Sequence, residues 1–210
     1  ENPAIIEDNI VMAQREARGI TSSNSIVRNN IVHGGYDASN ERISEAGHQF
    51  IANWGYNNDR SYGWAFYKGS NVLIEDNIST DFHYGIQAED DQNIEIKNNY
   101  IEHRYWGVYA NNSGLNYEIS GNEFVRINDD WTGEGDWFVY ATNMDYISIE
   151  DNIFRSEQGA EGVGGIYISS TDADINRNLI HTAGKGIEVY DQAGSMISQN
   201  TIITNNNGEY

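Results

Sequence analysis

Four side chains near the middle of the sequence have the types that proton-transfer chemistry on an acidic sugar needs. His103 is suited to act as a base, Tyr105 (or Tyr109) as an acid, and Arg126 with Arg155 as clamps for a carboxylate. A base removes the proton next to the carboxylate, and an acid then protonates the leaving oxygen or the opposite face of the ring. Such a set would cleave or epimerise a uronate. The alternative interpretation is that these residues only occupy turns.

Carboxylates form a second set of candidate functional residues. Hydrolysis of a glycosidic bond needs two carboxyl groups roughly 5 to 9 Å apart, and acidic residues cluster at positions 89–91 and 129–136. The same oxygen-rich segments suit Ca²⁺, although neither has the D-x-D-x-D-G spacing of a calcium loop. Ca²⁺ is therefore the one cofactor that the sequence suggests, with Glu89, Asp90 and Asp91 as its candidate ligands.

Residues so far apart in the chain can meet only if a repeat brings them together. An asparagine recurs after a short apolar strand, at intervals of 21, 47, 22, 23, 30, 26 and 22 residues. These asparagines are Asn9, Asn30, Asn77, Asn99, Asn122, Asn152, Asn178 and Asn200. A strand opened by glycine follows, as in Gly107-Val108-Tyr109-Ala110. A basic period of about 22 residues with insertions indicates an internal repeat.

One repeat unit contains three short strands joined by tight turns, which is one coil of a solenoid. Coils stack at about 4.8 Å, and the stacking supplies the core that no coil can form alone. An apolar column is expected two residues after each asparagine. Its members are Val11, Val32, Ser79, Ile101, Phe124, Phe154, Ile180 and Ile202, of which Ser79 alone is polar. The asparagine amides are expected to bond between neighbouring coils.

The pattern I-x-I-x-x-N-x-I followed by G-I-x-x resembles the right-handed parallel β-helix repeat family, over essentially residues 5–210. The resemblance implies an all-β fold, a right-handed single-stranded parallel β-helix (β-solenoid) of about eight coils. The family includes polysaccharide lyases, uronan epimerases, some glycoside hydrolases, phage tailspikes and adhesins. The resemblance therefore predicts the fold and leaves the activity open.

We predict one β-helix domain over residues 1–210, with insertions near 33–62, 127–136 and 155–164. The insertions fall at the same point of the coil, so we expect them to project from one edge and to wall a groove. A chain that starts at Glu1 and ends within an expected strand is interpreted as a module of a longer protein. Because the ends of a solenoid expose unpaired strand edges, self-association or flanking domains are expected there.

The outward positions of the glycine-opened strand form a column, since side chains alternate along a strand. Its members are Gln87, Tyr109, Tyr140, Tyr167 and Glu188. Trp106 and Trp137 border this column, at the position before the strand glycine or its equivalent. Aromatic rings beside hydrogen-bonding groups suit the C–H faces and hydroxyls of sugars. We therefore predict that these seven residues bind substrate; the alternative is ordinary cross-strand tyrosine packing.

The charge excludes several partners. Asp and Glu number 32 against 12 Lys and Arg, a formal net charge of −20, which repels nucleic acid and anionic membrane surfaces. It also repels anionic polysaccharides unless Ca²⁺ or a basic patch inverts the field. No apolar segment is long enough to span a membrane. The absence of cysteine excludes disulfides and thiolate metal sites.

Function classes of different kinds fit these observations. The first hypothesis is an extracellular carbohydrate-binding module, secreted or at the cell surface, that holds a polysaccharide along the exposed Tyr/Trp face. The alternative is an enzyme acting on a polysaccharide, namely a lyase, a C5-epimerase or a glycoside hydrolase. A second alternative is a noncatalytic structural solenoid, such as an adhesin or fibre module.

Overall fold

A computed structural model describes the chain as a stack of short parallel strands. The described residues are 4–7, 9–12, 25–28, 31–33, 39–43, 49–51, 54–56, 62–67, 70–76, 78–90, 92–112, 116–127, 136–156, 163–190 and 194–204. Every strand pair within them is parallel. None of these residues forms a helix long and apolar enough to cross a membrane. The polypeptide therefore winds as a solenoid with flat sheet faces.

Face A is a nine-stranded parallel sheet that receives one strand from each coil. Its strands are β1 (Ala4–Glu7), β3 (Ser25–Arg28), β6 (Gln49–Ile51), β9 (Ser70–Glu75), β11 (Gln92–Lys97), β13 (Tyr117–Ser120), β16 (Tyr146–Glu150), β19 (Asp172–Asn176) and β22 (Met196–Ser198).

Face B follows face A in every coil, after a turn of two residues. Its strands are β2 (Ile10–Met12), β4 (Ile31–His33), β7 (Trp54–Tyr56), the first part of β10 (Ile78–Glu89), the first part of β12 (Tyr100–Asn111), β14 (Glu123–Arg126), β17 (Ile153–Ser156), β20 (Leu179–Thr182) and β23 (Thr201–Thr204).

Face C closes the coil before the chain returns to face A. Its strands are β5 (Ser39–Ile43), β8 (Tyr62–Tyr67), the second parts of β10 and β12, β15 (Trp137–Thr142), β18 (Gly164–Ser169) and β21 (Ile187–Tyr190). Because β10 and β12 each run through both faces, faces B and C belong to one 14-stranded sheet.

The core consists of apolar columns that follow the register from coil to coil. On face A, Ile96 lies opposite Ile119, which lies opposite Ile149. On face B, Phe124 stacks on Phe154 at 5.1 Å between ring centroids. These side chains are fully buried. The predicted column two residues after the asparagines is thus confirmed in the inner coils, whereas its last member, Ile202, is exposed in the last described coil.

The predicted asparagine ladder is confirmed between the inner coils. The Asn122 side-chain oxygen accepts hydrogen bonds from the Asn99 backbone N–H and side-chain amide, both at 2.9 Å. Asn152 does the same for Asn122, and Asn178 for Asn152. Each amide also donates to a carbonyl of the preceding coil, as Asn152 does to Ile119 at 2.8 Å. The ladder therefore satisfies the buried polar groups of the turn between faces A and B.

The left-handed residue of this turn is the one before the ladder asparagine. Asn98, Asp151 and Arg177 have φ of 54°, 56° and 53°, and Gly121 has φ of 67°. The ladder asparagines that the structure describes are not left-handed. Their role is the amide hydrogen bond, and the exposed neighbour absorbs the backbone strain.

Glycine opens the face C strand because a neighbouring backbone lies too close for a side chain. A Cβ at Gly107 would lie 2.5 Å from the Phe138 carbonyl oxygen and 2.9 Å from Phe124 Cδ1. Both distances are below van der Waals contact, so the bend between faces B and C requires a residue without Cβ. The glycine therefore marks the point where the chain turns into face C.

The region 33–62, which the sequence analysis treats as an insertion, contains β5, β6 and β7. Trp54 lies opposite Ile31 and Gly55 opposite Val32, so this segment adds a coil in register with its neighbours. In the sequence, Asn53 directly precedes Trp54 as Asn30 precedes Ile31. The interval of 47 residues therefore conceals a further unit of the repeat, and interpretation of the whole region as an insertion is wrong.

The number of coils also differs from the predicted eight. About five turns, from β11 to β23, are described almost continuously, and β1 to β10 continue the same sheets toward the N-terminus. The other two predicted insertions lie largely outside the described residues, which include neither 128–135 nor 157–162. Both insertions connect face B to face C, one from β14 to β15 and the other from β17 to β18.

Candidate ligand-binding face

The column of outward side chains predicted on face C is present. Tyr109 lies opposite Gln87 and Tyr140, and Tyr167 lies opposite Tyr140 and Glu188. The five side chains are half-buried, whereas their strand neighbours Val108, Val139 and Ile166 are fully buried. We call Gln87, Tyr109, Tyr140, Tyr167 and Glu188 the tyrosine column. The predicted alternation of inward and outward side chains along the face C strands is therefore confirmed.

The tyrosine rings of this column are stacked on one another. Tyr109 and Tyr140 are 5.6 Å apart with planes inclined by 3°, and Tyr140 and Tyr167 are 4.8 Å apart at 5°. Trp106 stacks on Tyr109 at 4.4 Å. Each inner ring thus has its faces against neighbouring rings, so it presents its edge and its hydroxyl outward. The expectation that sugars stack on open tyrosine faces needs revision toward contacts with edges and hydroxyls.

Further aromatic side chains extend this surface at both sides. Tyr105 packs on Trp106 at 4.4 Å, and Trp137 lies 5.3 Å from Tyr167 at an angle of 53°. Tyr190, which the sequence analysis did not single out, lies 5.6 Å from Tyr167 and is exposed. Trp106 is half-buried, but Trp137 is buried. Trp137, which the sequence predicts to bind substrate, is therefore buried and packs against Tyr167 of the tyrosine column.

A polar column that sequence reasoning missed runs beside the tyrosines. It lies two residues further along each face C strand and consists of Glu89, Asn111, Thr142, Ser169 and Tyr190. The Thr142 hydroxyl donates to Asn111 Oδ1 at 2.8 Å, and Asn111 Nδ2 donates to the Tyr109 hydroxyl at 3.3 Å. The same alternation that predicts the tyrosine column predicts this one. Face C thus offers rings and hydrogen-bonding groups side by side.

The hydroxyls of Tyr109, Tyr140 and Tyr190 stay protonated. Burial raises the pKa of Tyr109, and the nearby Glu89 carboxylate adds to that effect. Burial is also the main cause that raises the pKa of Tyr140. For Tyr190 the main cause of a raised pKa is the hydrogen bond that its hydroxyl donates to Glu188, at 3.1 Å. Neutral hydroxyls both donate and accept hydrogen bonds, which suits a polyhydroxylated ligand.

His103, the predicted base, lies inside the solenoid. Its side chain is 0% exposed, its ring packs edge-on against Phe138 at 5.4 Å, and neither ring nitrogen has a hydrogen-bond partner of good geometry. Burial lowers the pKa of His103 well below 6.5, the Arg126 guanidinium lowers it further, and the Tyr105 backbone opposes them only in part. The predicted base therefore lies in the core and does not line an exposed groove.

Arg126, the first predicted carboxylate clamp, is also buried. Its Nη2 forms an ion pair with Asp136 Oδ2 at 2.8 Å, and both side chains are 3% exposed. Its Nη1 also donates to the Ile127 carbonyl. Arg126 lies opposite His103 in the register. The buried cluster of His103, Arg126 and Asp136 therefore occupies the inside of the corner between faces B and C.

Arg155 and Tyr105 do not join this cluster. Arg155 is on the outer side of face B, where its Nε bonds Glu123 Oε1 at 2.7 Å. Tyr105 is half-buried beside Trp106, and burial, with a smaller contribution from Asp136, raises its pKa. The four predicted catalytic residues are thus divided between the interior, the outer side of face B and the edge of face C. The structure does not bring them together at one surface.

We expect the free energy of unfolding to decrease when the pH falls below about 6.5, the ordinary pKa of histidine. His103 is neutral in the folded protein, so between its lowered pKa and about 6.5 only the unfolded chain binds the proton. Stability therefore rises with pH in this window, by up to about 1.4 kcal/mol per unit. Urea unfolding at several pH values measures this slope.

The variant His103→Phe should reduce that slope, because an apolar ring occupies the same site beside Phe138. Phe154→Leu, which changes a buried ring packed against Phe138 and removes no titratable group, is the control and should keep the slope. An unchanged slope in His103→Phe would contradict the assignment of the pH dependence to this residue.

The predicted calcium ligands are only partly described. Glu89 accepts a hydrogen bond from Gln87 Nε2 at 2.6 Å, and Asp90 is an exposed turn residue with φ of 57°. Asp91 lies outside the described residues. In the described ranges, no three His, Cys, Asp or Glu side chains are grouped in a way that could hold a metal ion. Calcium binding by these residues stays a prediction.

A separate groove lies on face A, away from the tyrosine column. It has a volume of about 510 Å³ and runs across β11, β13 and β16. Its lining residues are Asn93, Glu95, Asn116, Tyr117, Glu118, Tyr146, Ser148 and Glu150. Lys97 bonds both Glu95 at 2.8 Å and Glu118 at 3.2 Å. Burial, aided by the hydrogen bond to Asp174, raises the pKa of Tyr146 to about 12. This groove is acidic and has one aromatic side chain that is not buried.

Comparison with known proteins identifies the fold. A protein-family model described as a right-handed β-helix region matches residues 1–154 and, in a second match, residues 83–209. Together the matches extend over almost the whole chain, and they establish the right-handed winding that the resemblance implied. No curated protein and no solved structure matched the chain.

Proposed function

The chain belongs to the right-handed β-helix family, and we propose that it is a carbohydrate-binding module that holds a polysaccharide along face C. The observation that carries this proposal is the pairing of the tyrosine column with the polar column over successive coils. An extended glycan also repeats its rings and hydroxyls along its length. A surface that repeats at about 4.8 Å per coil can therefore contact it at several consecutive sugars.

The contacts follow from the orientation of the rings. The inner tyrosines present hydroxyls and ring edges, and Asn111 and Thr142 present an amide and a hydroxyl in the adjacent column. Sugar hydroxyls can replace the hydrogen bonds that these groups make with water, while C–H groups pack on the ring edges. Because stacking with neighbours already fixes the rings, little side-chain freedom is lost when a ligand binds.

The setting belongs to the same proposal. We place the module outside the cell, secreted or at the cell surface, where polysaccharides are accessible. The net charge of −20 supports this setting, since strong self-repulsion keeps such a protein soluble and separate. Calcium binding near Glu89 and Asp90 is an optional part of the proposal, and the panel described below is run with and without Ca²⁺.

The enzyme hypotheses have less support. A base and a clamp that are buried in the core, as His103 and Arg126 are, cannot contact a polymer on the surface. A structural solenoid is the stronger alternative, because stacked tyrosines on adjacent strands also stabilise a sheet. That alternative predicts that loss of a tyrosine changes stability and that no glycan is retained.

We expect Tyr140→Ala to weaken glycan binding by about 1 kcal/mol or more, roughly fivefold in affinity, because the central ring and hydroxyl of the column are lost. The measurement is retention on a panel of neutral and uronate polysaccharides, followed by titration with the best ligand. Ultraviolet absorbance of unsaturated sugar products is recorded in the same panel, because it would reveal a lyase.

The matched control is Tyr146→Ala, which removes a half-buried tyrosine from the groove on face A. It should leave the affinity unchanged if the glycan lies on face C. Thermal unfolding of both variants separates a loss of binding from a loss of folding. An equal affinity in Tyr140→Ala and the unchanged protein contradicts the proposal, and a loss confined to Tyr146→Ala would relocate the site to face A.

A further inference from the structure

In the tyrosine and polar columns, taken from Gln87 and Glu89 to Glu188 and Tyr190, two side chains are charged, one at each end of this stretch. Glu89 lies beside Gln87 and Tyr109 at one end, and Glu188 follows Tyr167 at the other. Between them, the described members of both columns are uncharged tyrosine, asparagine, threonine and serine side chains. The tyrosine and polar columns contain no lysine or arginine in the part of face C from residue 85 to residue 190 that the structure describes.

Lys185 does not make the charge of this surface positive. Lys185, three residues before Glu188, forms an ion pair with the Glu188 carboxylate. Glu188 also accepts the hydrogen bond from the Tyr190 hydroxyl. The positive charge is therefore largely compensated by its own neighbour. A ligand carboxylate placed on the column would meet Glu89 or Glu188 with no guanidinium to pair with.

The net charge of the whole molecule adds to this repulsion of carboxylates. With a net charge of −20, the field around the chain repels anionic polymers at low ionic strength. Anionic polysaccharides carry charge on many successive sugars, so the repulsion acts along the full length of the column. Neutral glycans have no such penalty and make the same hydroxyl and ring contacts.

We infer that face C is specific for an uncharged polysaccharide and rejects polymers that carry carboxylates, such as uronates. This inference rests on the proposed function, and it names the substrate class of that site. The excluded class is the one on which a lyase or an epimerase with His103 and Arg126 would act. The two columns thus bind hydroxyls and discriminate against acidic sugars for two reasons. Their described members include no lysine or arginine, and they include the carboxylates of Glu89 and Glu188.

The test compares a polysaccharide with its own charged derivative. The glycan that the protein retains most strongly on the panel is carboxymethylated, and a hydroxyethylated sample of equal substitution is the neutral control. Affinity for each is measured with EDTA and with Ca²⁺, at low and high salt. We expect the carboxymethylated polymer to bind at least about tenfold more weakly at low salt, with a smaller difference at high salt because charges are screened.

Variants then locate the discrimination. Glu89→Gln and Glu188→Gln together should reduce the ratio between neutral and anionic affinity several-fold. Glu95→Gln and Glu118→Gln together remove the same two charges from face A and should leave the ratio unchanged. If the face A variant shifts the ratio equally, the discrimination comes from net charge and the inference about face C is overturned.

The remaining outcomes are also decisive. Equal or tighter binding of the carboxymethylated polymer, with or without Ca²⁺, overturns the inference while carbohydrate binding itself stands. Retention of no polysaccharide at all overturns the proposed function, and the inference with it. The two failures are therefore distinguishable in one set of measurements.

Discussion

Replacing Asp136 with asparagine is expected to lower the free energy of unfolding by about 3–5 kcal/mol, because it leaves the buried Arg126 guanidinium without its counter-charge. The Nη2–Oδ2 distance is 2.8 Å and both side chains are 3% exposed, so water cannot replace the lost partner. Arg126 lies at the end of β14 and Asp136 directly before β15. The pair therefore joins the two ends of the segment that connects faces B and C. Urea unfolding measures the effect.

The protein contains a matched control for this prediction. Arg155 and Glu123 have nearly the same separation, 2.7 Å, but their side chains are 42% and 38% exposed. Glu123→Gln should therefore cost about 1 kcal/mol or less. The double variant Arg126→Met with Asp136→Leu should lose much less than the sum of the single losses, since no unpaired charge remains. Similar losses in Asp136→Asn and Glu123→Gln would contradict this account of burial.

Replacing Asn152 with alanine is expected to cost about 3 kcal/mol or more. Its side-chain oxygen accepts from the Asn122 backbone N–H and amide at 2.9 and 3.0 Å, and its own amide donates to the Ile119 carbonyl at 2.8 Å. Alanine leaves several buried polar groups in two neighbouring coils without partners, each at about 1–3 kcal/mol. Chemical unfolding of the variant measures the loss.

The control for the ladder is Asn176→Ala. Asn176 is a half-buried asparagine on face A whose side chain accepts from Ser198, outside the ladder. Its loss should cost about 1 kcal/mol or less, because water can replace the missing group. If the two asparagine variants were equally stable, the ladder would not be a main source of cohesion between coils.

The tyrosine column shows where reading the sequence was sufficient. Tyr109, Tyr140 and Tyr167 follow buried valine or isoleucine directly, and a strand sends successive side chains to opposite sides. The parallel register then stacks equivalent positions of successive coils. Whether the rings pack on one another stayed open in the sequence, because this depends on their rotamers and on the contact with Trp106.

His103 shows where the reading failed. Its polarity favours the surface, whereas the alternation of side chains from the buried Ile101 points His103 inward. In the structure the alternation prevails. Arg126 is buried in the same way, and its partner Asp136 lies beyond a segment whose path the sequence does not specify. A buried charge is tolerated only where tertiary structure supplies its partner.

The interpretation of residues 33–62 as an insertion failed for a different reason. Its signal, Asn53 before Trp54-Gly55-Tyr56, is present in the sequence, but Gly55 stands where most coils have a large apolar residue. A weak apolar column therefore made a regular coil resemble an insertion.

The parallel solenoid, the asparagine ladder and the outward tyrosines were predictable from the sequence, because a short repeat copies the same local pattern of turns and alternation into every coil. The right-handed winding followed from the resemblance to the β-helix family. Which polar residues are buried and which tyrosine faces stay open became known from the folded structure. These depend on contacts between coils and across the corner from face B to face C. The candidate site was thus predictable as a column, and its chemistry, neutral hydroxyls between terminal carboxylates, became visible only when the coils were stacked.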